Sequence, residues 1–149
     1  VASWRTKHKA DLVSMLVKSS SGSTMGIGHL GSANGNKGAA YSVCKVKAVG
    51  GPIRSFAHEV GHNLGCAHAK DQGSGAGKGA FGYSHGWRFV GTDKKKYRTL
   101  LSYQKNPGEA RIPYYSNPSV QYKGTATGTS AADNGKTVKA VIKKAIKYY

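Results

Sequence analysis

Short apolar runs, broken by clusters of glycine, serine and asparagine, carry the first half of the chain, and helical spacing becomes plain only near its end. Residues 1–10 read as the end of a helix that carries Trp4 inward. The run Leu12-Val13-Ser14-Met15-Leu16-Val17-Lys18 has the length and continuity of a buried strand and stops at a Ser-Gly stretch. A loop over 19–24 leads to a second strand over 25–30. A turn rich in Gly, Ser and Asn over 31–38 then leads to a third strand over 39–47. Gly50-Gly51-Pro52 breaks the pattern just ahead of a helix over 53–64, a place where proline is tolerated. Residues 70–80 contain four glycines and read as a mobile surface loop. Tyr83, Trp87 and Phe89 recur closely enough within 81–90 to suggest a hairpin or strand, and the pattern is irregular from there to Lys123. At the end, Val138, Val141, Ile142, Ala145, Ile146 and Tyr149 share one helical face, and Lys136, Lys139, Lys143, Lys144 and Lys147 share the other. A basic amphipathic helix can lie on a membrane, but the simpler reading is a C-terminal helix packed on the core with a solvated lysine face.

Composition narrows the class. The 149 residues suit one domain with a single core, and 21 glycines with 38% hydrophobic residues suit a loop-rich fold better than a helical bundle. No apolar run is long enough to span a membrane. No signal peptide is visible and the first residue is Val1, so the chain reads as processed or excised. Lys and Arg number 23 against six Asp and Glu, a net charge of +17. Such a surface is either simply solvated or attracts anionic partners: acidic protein substrates or anionic polymers. No nucleic-acid recognition motif accompanies it. With six carboxylates in all, a calcium site built from protein oxygens is not expected.

The chemistry is concentrated in His58-Glu59-Val60-Gly61-His62-Asn63-Leu64-Gly65-Cys66-Ala67-His68. His58 and His62 are four residues apart and project from one face of a helix, so both can grip one ion. Gly65 lets the backbone leave the helix in a left-handed conformation, which returns His68 as a third nitrogen ligand. Three imidazoles leave a fourth position for water, the arrangement of a catalytic rather than a structural zinc. Glu59 is not a ligand; it is placed to accept a proton from that water. Chance HExxH matches occur on helix surfaces, but the added Gly and third His at these offsets speak for one bound zinc.

This extended motif resembles the signature of the metzincin metallopeptidases, and other segments resemble their reprolysin-like branch. Met25-Gly26-Ile27-Gly28-His29-Leu30-Gly31 is similar to that branch's edge strand. Arg98-Thr99-Leu100-Leu101-Ser102-Tyr103 is similar to the segment around the Met-turn, and Arg111-Ile112-Pro113-Tyr114-Tyr115-Ser116-Asn117-Pro118 to the stretch after it in bacterial secreted members, including the peptidyl-Asp metallopeptidases. Leu101 stands where the family has methionine, a swap of similar volume. Ala69 stands where members usually carry an acidic residue after the third histidine, with Asp71 nearby. The resemblance implies an α+β metzincin fold over 1–149: a twisted, mostly parallel sheet, the active-site helix, an irregular lower subdomain and a C-terminal helix. Reprolysin-like domains place a strand and a long helix ahead of the segment that residues 1–10 resemble, so the resemblance implies either that a preceding piece was cut away or that this version of the fold does without it.

The resemblance also implies function. The chain is expected to be a secreted, monomeric zinc endopeptidase acting on peptide or protein substrates. Glu59 is the general base, and Tyr103, two residues past the Met-turn position, is a zinc ligand, an oxyanion stabiliser or a residue packed under the site. Ile27, Gly28, His29 and Leu30 offer an edge to which an extended peptide can add as a strand, and Tyr114 and Tyr115 line the wall of the specificity pocket. His29 and His85 are not ligands. In a secreted protein Cys44 and Cys66 can pair; the alternative is two buried thiols. A competing reading is a cationic zinc protein that binds anionic polymers with little turnover, for which a general base at Glu59 has no use.

Overall fold

The computed structural model describes residues 1–18 and 21–148, so Tyr149 and part of the loop expected over 19–24 lie outside the described residues. Helix α1 (Ala2–Lys7) leads into β1 (Val13–Val17), followed by β2 (Gly26–Gly28), β3 (Tyr41–Lys45) and helix α2 (Ser55–Asn63). The second half holds β4 (Arg88–Val90), β5 (Lys96–Arg98), β6 (Ala110–Arg111), the pair β7 (Gln121–Tyr122) and β8 (Thr125–Ala126), and helix α3 (Asn134–Ala145). The result is mixed α+β with small sheets.

The three expected N-terminal strands form one sheet in the order β1-β3-β2. β1 runs parallel to β3 and β2 antiparallel to it, so the sheet is mixed rather than mostly parallel. Among the described residues β2 is bonded along one edge, to β3, and its other edge is open. A second sheet, β4-β5-β6, and the β7-β8 pair occupy the region whose sequence is irregular. Asn63, at the end of α2, locks helix to sheet: its buried side-chain amide donates to the carbonyls of His29, Ala39 and Tyr41 at 2.8–3.0 Å. Among the described residues no helix is long and apolar enough to cross a membrane.

Several expectations need correction. Trp4 points outward, 68% exposed and stacked on His8, while its neighbour Arg5 is buried. Adjacent helical positions cannot both face in, and Arg5 finds acceptors there: the carbonyls of Ala10, Lys37 and Tyr148 and the Tyr41 hydroxyl. β1 is not buried either, since Met15 and Leu16 are half exposed on a sheet edge. The glycine-rich stretch after His68 is not a loose loop but a tight 3₁₀ segment, Lys70–Ala76, kinked at Gly73. In α3, Val141 and Ala145 are buried with Tyr148, whereas Ile142 and Ile146 lie outside the stripe and are exposed. The Tyr148 hydroxyl accepts from Asn36 N at 2.6 Å and draws the helix end onto the core.

Cys44 and Cys66 are free, buried thiols, not a disulfide. They belong to different layers. Cys44 sits in β3 opposite Gly26, while Cys66 packs with Leu100 and Leu101 and directs its Sγ toward Asn134 O of α3 at 3.6 Å.

Candidate active site

Helix α2 ends as its glycine requires. Gly65 takes φ +82°, its N–H bonds to His62 O at 2.8 Å, and the Cys66 N–H reaches back to Gly61 O at 2.9 Å. This pair of bonds is a Schellman cap. A Cβ at Gly65 would meet Ala80 Cβ at 2.6 Å, so both the backbone angle and the packing exclude a side chain. The turn delivers His68 to the face carrying His58 and His62.

The Nε2 atoms of His58, His62 and His68 stand 3.0–3.1 Å from one another. A single ion with nitrogen bonds of ~2.0–2.1 Å can reach all three. The opposite ring nitrogens determine the protonation state. Nδ1 of His58 donates to Leu100 O (2.7 Å), that of His62 to Cys66 O (2.8 Å) and that of His68 to Gly75 O (2.7 Å). A carbonyl can only accept, so each Nδ1 carries the proton and each Nε2 turns a lone pair toward the common centre. Burial, and secondarily the neighbouring imidazoles, holds the rings neutral, depressing His58 to about 2 and His62 to about 4; burial also lowers His68. Three neutral nitrogen donors converging on one point fit zinc, and these residues form the chain's candidate zinc site.

The support around His68 differs from the resemblance. Asp71, the acidic residue nearest to the position where Ala69 stands, is not the partner of the His68 ring nitrogen; it pairs with Arg88 and Lys105. The Gly75 carbonyl of the 3₁₀ segment takes the Nδ1 proton instead, and the backbone of His68 is held at both ends, by Ala76 O and by His85 Nδ1. His85 thus holds the His68 backbone from the side away from the ion-facing nitrogens.

Glu59 is 5% exposed and lies against β2. A Cβ at Gly26 would come within 2.6 Å of its Oε1, and one at Gly28 within 2.8 Å of its backbone oxygen. Glycine at these alternate positions lets the strand approach the helix closely, a use of Gly26 that the sequence reading missed. Burial raises the Glu59 carboxyl to about 7, against the opposing pull of the Arg111 guanidinium and the Gly28 N–H. Ile27, between the glycines, points out and is 67% exposed. His29 and Leu30, just past β2, are exposed, and among the described residues β2 keeps its open edge.

Tyr103 is half exposed, with its ring 4.6 Å from that of His68 and 5.5 Å from that of His58. Its backbone is fixed by Gln72 Oε1, which accepts from Tyr103 N at 3.1 Å, and by Arg88, which donates to Tyr103 O. Leu101 is fully buried beneath the helix. A Cβ at Gly61 would lie 2.9 Å from Leu101 Cδ2 and 2.8 Å from the Tyr115 ring, so Gly61 opens the space for both. The Tyr115 ring packs under α2, where its hydroxyl donates to Ala57 O at 2.6 Å, and burial raises its pKa. Tyr114 is partly exposed, with its ring 5.9 Å from that of Tyr122. A cavity of ≈ 230 Å³ does open beside the cluster, lined by Met25, Ile53, His58, Glu59, Tyr103 and Arg111 among others. Arg111 is the functional candidate the sequence reading passed over.

Comparison with known proteins agrees with this geometry. A peptidyl-Asp metalloendopeptidase of Stenotrophomonas maltophilia (strain R551-3) is 37% identical over 81 residues, 54% of this chain and 19% of that protein. One from Pseudomonas aeruginosa is 30% identical over 132 residues, 76% of this chain and 21% of that protein. One from Pseudomonas fragi is 32% identical over 68 residues, 46% of this chain and 44% of that protein. The chain therefore spans about a fifth of the length of the first relatives it matches. No solved structure matches it. The sequence model of metallo-peptidase family M12, whose members use a catalytic zinc, matches residues 1–116, and the chain belongs to that family.

Proposed function

We propose that this chain is the catalytic domain of a secreted zinc endopeptidase of metzincin type that cuts peptide bonds beside aspartate. The observation that carries the reading is the convergence of three neutral Nε2 donors on one point with a buried carboxylate, Glu59, immediately beside them. The aspartate preference is suggested by the names of the relatives.

His58, His62 and His68 would hold the zinc, which when bound acidifies water toward ~7 and polarises a carbonyl. The rest of the chemistry falls to the chain's own groups. Glu59 takes the proton of the attacking water at its carboxylate and returns it to the leaving amine. Its place beside the three imidazoles, buried against β2, lets it serve both halves of that transfer. Tyr103 stands at the rim, where its hydroxyl can donate to the oxygen that gains negative charge. The open edge of β2, with Ile27 facing out, receives the substrate as an added strand. Leu101 cushions the helix from below, and the domain works as a monomer. A cationic binding protein would need neither a buried base nor glycines shaped around it.

The test is cleavage of a proteome-derived peptide library by the zinc-loaded protein, read by mass spectrometry with and without chelator. Chelator-sensitive cuts clustered at aspartate are expected. A fully zinc-loaded protein that cuts nothing overturns the reading.

A further inference from the structure

The cavity beside Glu59 contains a cation, Arg111, that forms no ion pair among the described residues. Arg111 closes β6, in register with Arg98 of β5, and sends its guanidinium into the cavity shared by His58, Glu59 and Tyr103. One nitrogen, Nη1, is used for support, donating to the Ile53 carbonyl just ahead of α2. Nε is buried and has no hydrogen-bond partner among the described residues. No carboxylate of the described residues lies within ion-pair distance of the guanidinium; the ion pairs formed there belong to Arg88 and Lys105.

That is an expensive arrangement for an arginine. A half-buried guanidinium normally meets a carboxylate in a two-pronged contact, and a buried donor left unpaired costs the desolvation it has suffered. The surroundings add to the demand for negative charge. Burial first, and then the neighbouring charges of Arg98 and Arg54, lower Arg111 to about 10 against the pull of Tyr103 and Glu59, which leaves it charged at neutral pH. Arg98 is occupied by the carbonyls of Glu109 and Ser102. The one carboxylate facing Arg111, Glu59, is the proposed base and must stay available. The anion that completes Arg111 therefore has to arrive with the substrate.

We propose that Arg111 is the residue that reads the aspartate of the substrate, holding its side-chain carboxylate in the cavity of His58, Glu59 and Tyr103. The inference rests on the endopeptidase reading above and assigns its selectivity to one side chain. It follows that selectivity is built into the floor of the cavity, independent of the lysine-rich surface. The planar fork of arginine matters as well as its charge, since lysine presents only a point charge there.

The experiment compares internal peptides blocked at both ends, identical except for Asp or Asn at the cleaved position, so that no terminal carboxylate competes. For the parent protein kcat/KM should favour Asp; Arg111→Gln should reduce that ratio by about 10- to 100-fold, the size of a charge-assisted pair, and Arg111→Lys should retain part of it. Equal slowing of both peptides by Arg111→Gln, or a parent with no preference, overturns the proposal. If the parent cuts neither peptide, the endopeptidase reading fails on its own, and binding decides the Arg111 claim. Zinc-loaded Glu59→Gln protein should bind the Asp peptide more tightly than the Asn peptide by calorimetry, and adding Arg111→Gln should erase the difference. Equal affinities before the second substitution count against it.

Discussion

The glycines of β2 allow the site to be perturbed without touching a ligand. A methyl added at Gly26 would lie 2.6 Å from Glu59 Oε1, 2.8 Å from Cγ and 3.0 Å from Cδ. Comfortable carbon contacts are ~3.5–4.0 Å, so the carboxyl must retreat by about 1 Å. It can do so by rotating, because every atom struck belongs to a flexible side chain. A displacement of that size at a reacting group can cost ~10²-fold in rate. Gly26→Ala should therefore lower kcat/KM by roughly that factor while zinc content and melting temperature barely change. Gly28→Ala is the control. Its methyl would meet the Glu59 backbone oxygen at 2.8 Å, and a helix backbone cannot rotate away. The strand must lift from the helix, an overpacking cost of ~1–3 kcal/mol, with each kcal/mol moving the melting temperature by about 2–4 °C in a chain of this size. The assays are peptide turnover, elemental zinc analysis and calorimetric melting on both variants. If Gly26→Ala turns over at the parental rate, or melts as low as Gly28→Ala, the assignment of Gly26 as the space for the Glu59 carboxyl is wrong.

Three further outcomes are expected. Glu59→Gln should retain stoichiometric zinc and lose ~10²–10⁴-fold in kcat, measured by metal analysis and steady-state kinetics. In the metal-free protein the Glu59 carboxyl binds its proton more tightly folded than unfolded, about 7 against 4.5. Stability from this group is present below pH 4.5 and lost as pH rises through 7, by on the order of 3 kcal/mol. Thermal melts should thus show Glu59→Gln gaining on the parent between those pH values and holding its advantage above them; a constant offset refutes the assignment. Leu101→Met, at a fully buried site beneath Gly61, should change stability by less than ~1.5 kcal/mol in chemical denaturation and leave zinc content unaltered.

The parts legible in the sequence are those whose causes are local. Histidines four apart on a helix, a glycine whose positive φ ends it, and a short apolar strand beside it each need only neighbours in the chain, and each stands where the spacing put it. The failures concern partners far apart in sequence. Trp4 looked like the inward residue because it is apolar; Arg5 took the place because Lys37, Tyr41 and Tyr148 supply acceptors that no local pattern reveals. Cys44 and Cys66 invited pairing through the expectation of a secreted protein, whereas a disulfide depends on where β3 and the end of α2 face. The bond from the Tyr115 hydroxyl to Ala57 O is another such partner, 58 residues away and invisible to local spacing. Arg111 read as one basic residue among 23, and only its buried Nε and the cavity in front of it set it apart. Gly26 and Gly28 carried a usable signal, since two glycines alternating in a short strand mark a face pressed close against other backbone.

The metal site depends on more than the eleven residues that announce it. The acceptor that orients His58 comes from Leu100, just beyond β5; that for His62 comes from Cys66, just past the capped helix; that for His68 comes from Gly75 in the kinked 3₁₀ segment. Each ring is aimed only when its own segment is in place, and the Gln72, Asp71 and Arg88 contacts that fasten the 3₁₀ segment also fix the backbone of Tyr103. Zinc affinity and local folding are then two readings of one equilibrium: whatever loosens residues 70–76 frees His68 and Tyr103 together, and an ion held by all three imidazoles pulls those segments back into register. The glycine-rich stretch, which composition alone would leave as a passive loop, is on this view the element through which the lower half of the molecule governs both the third ligand and the tyrosine beside it.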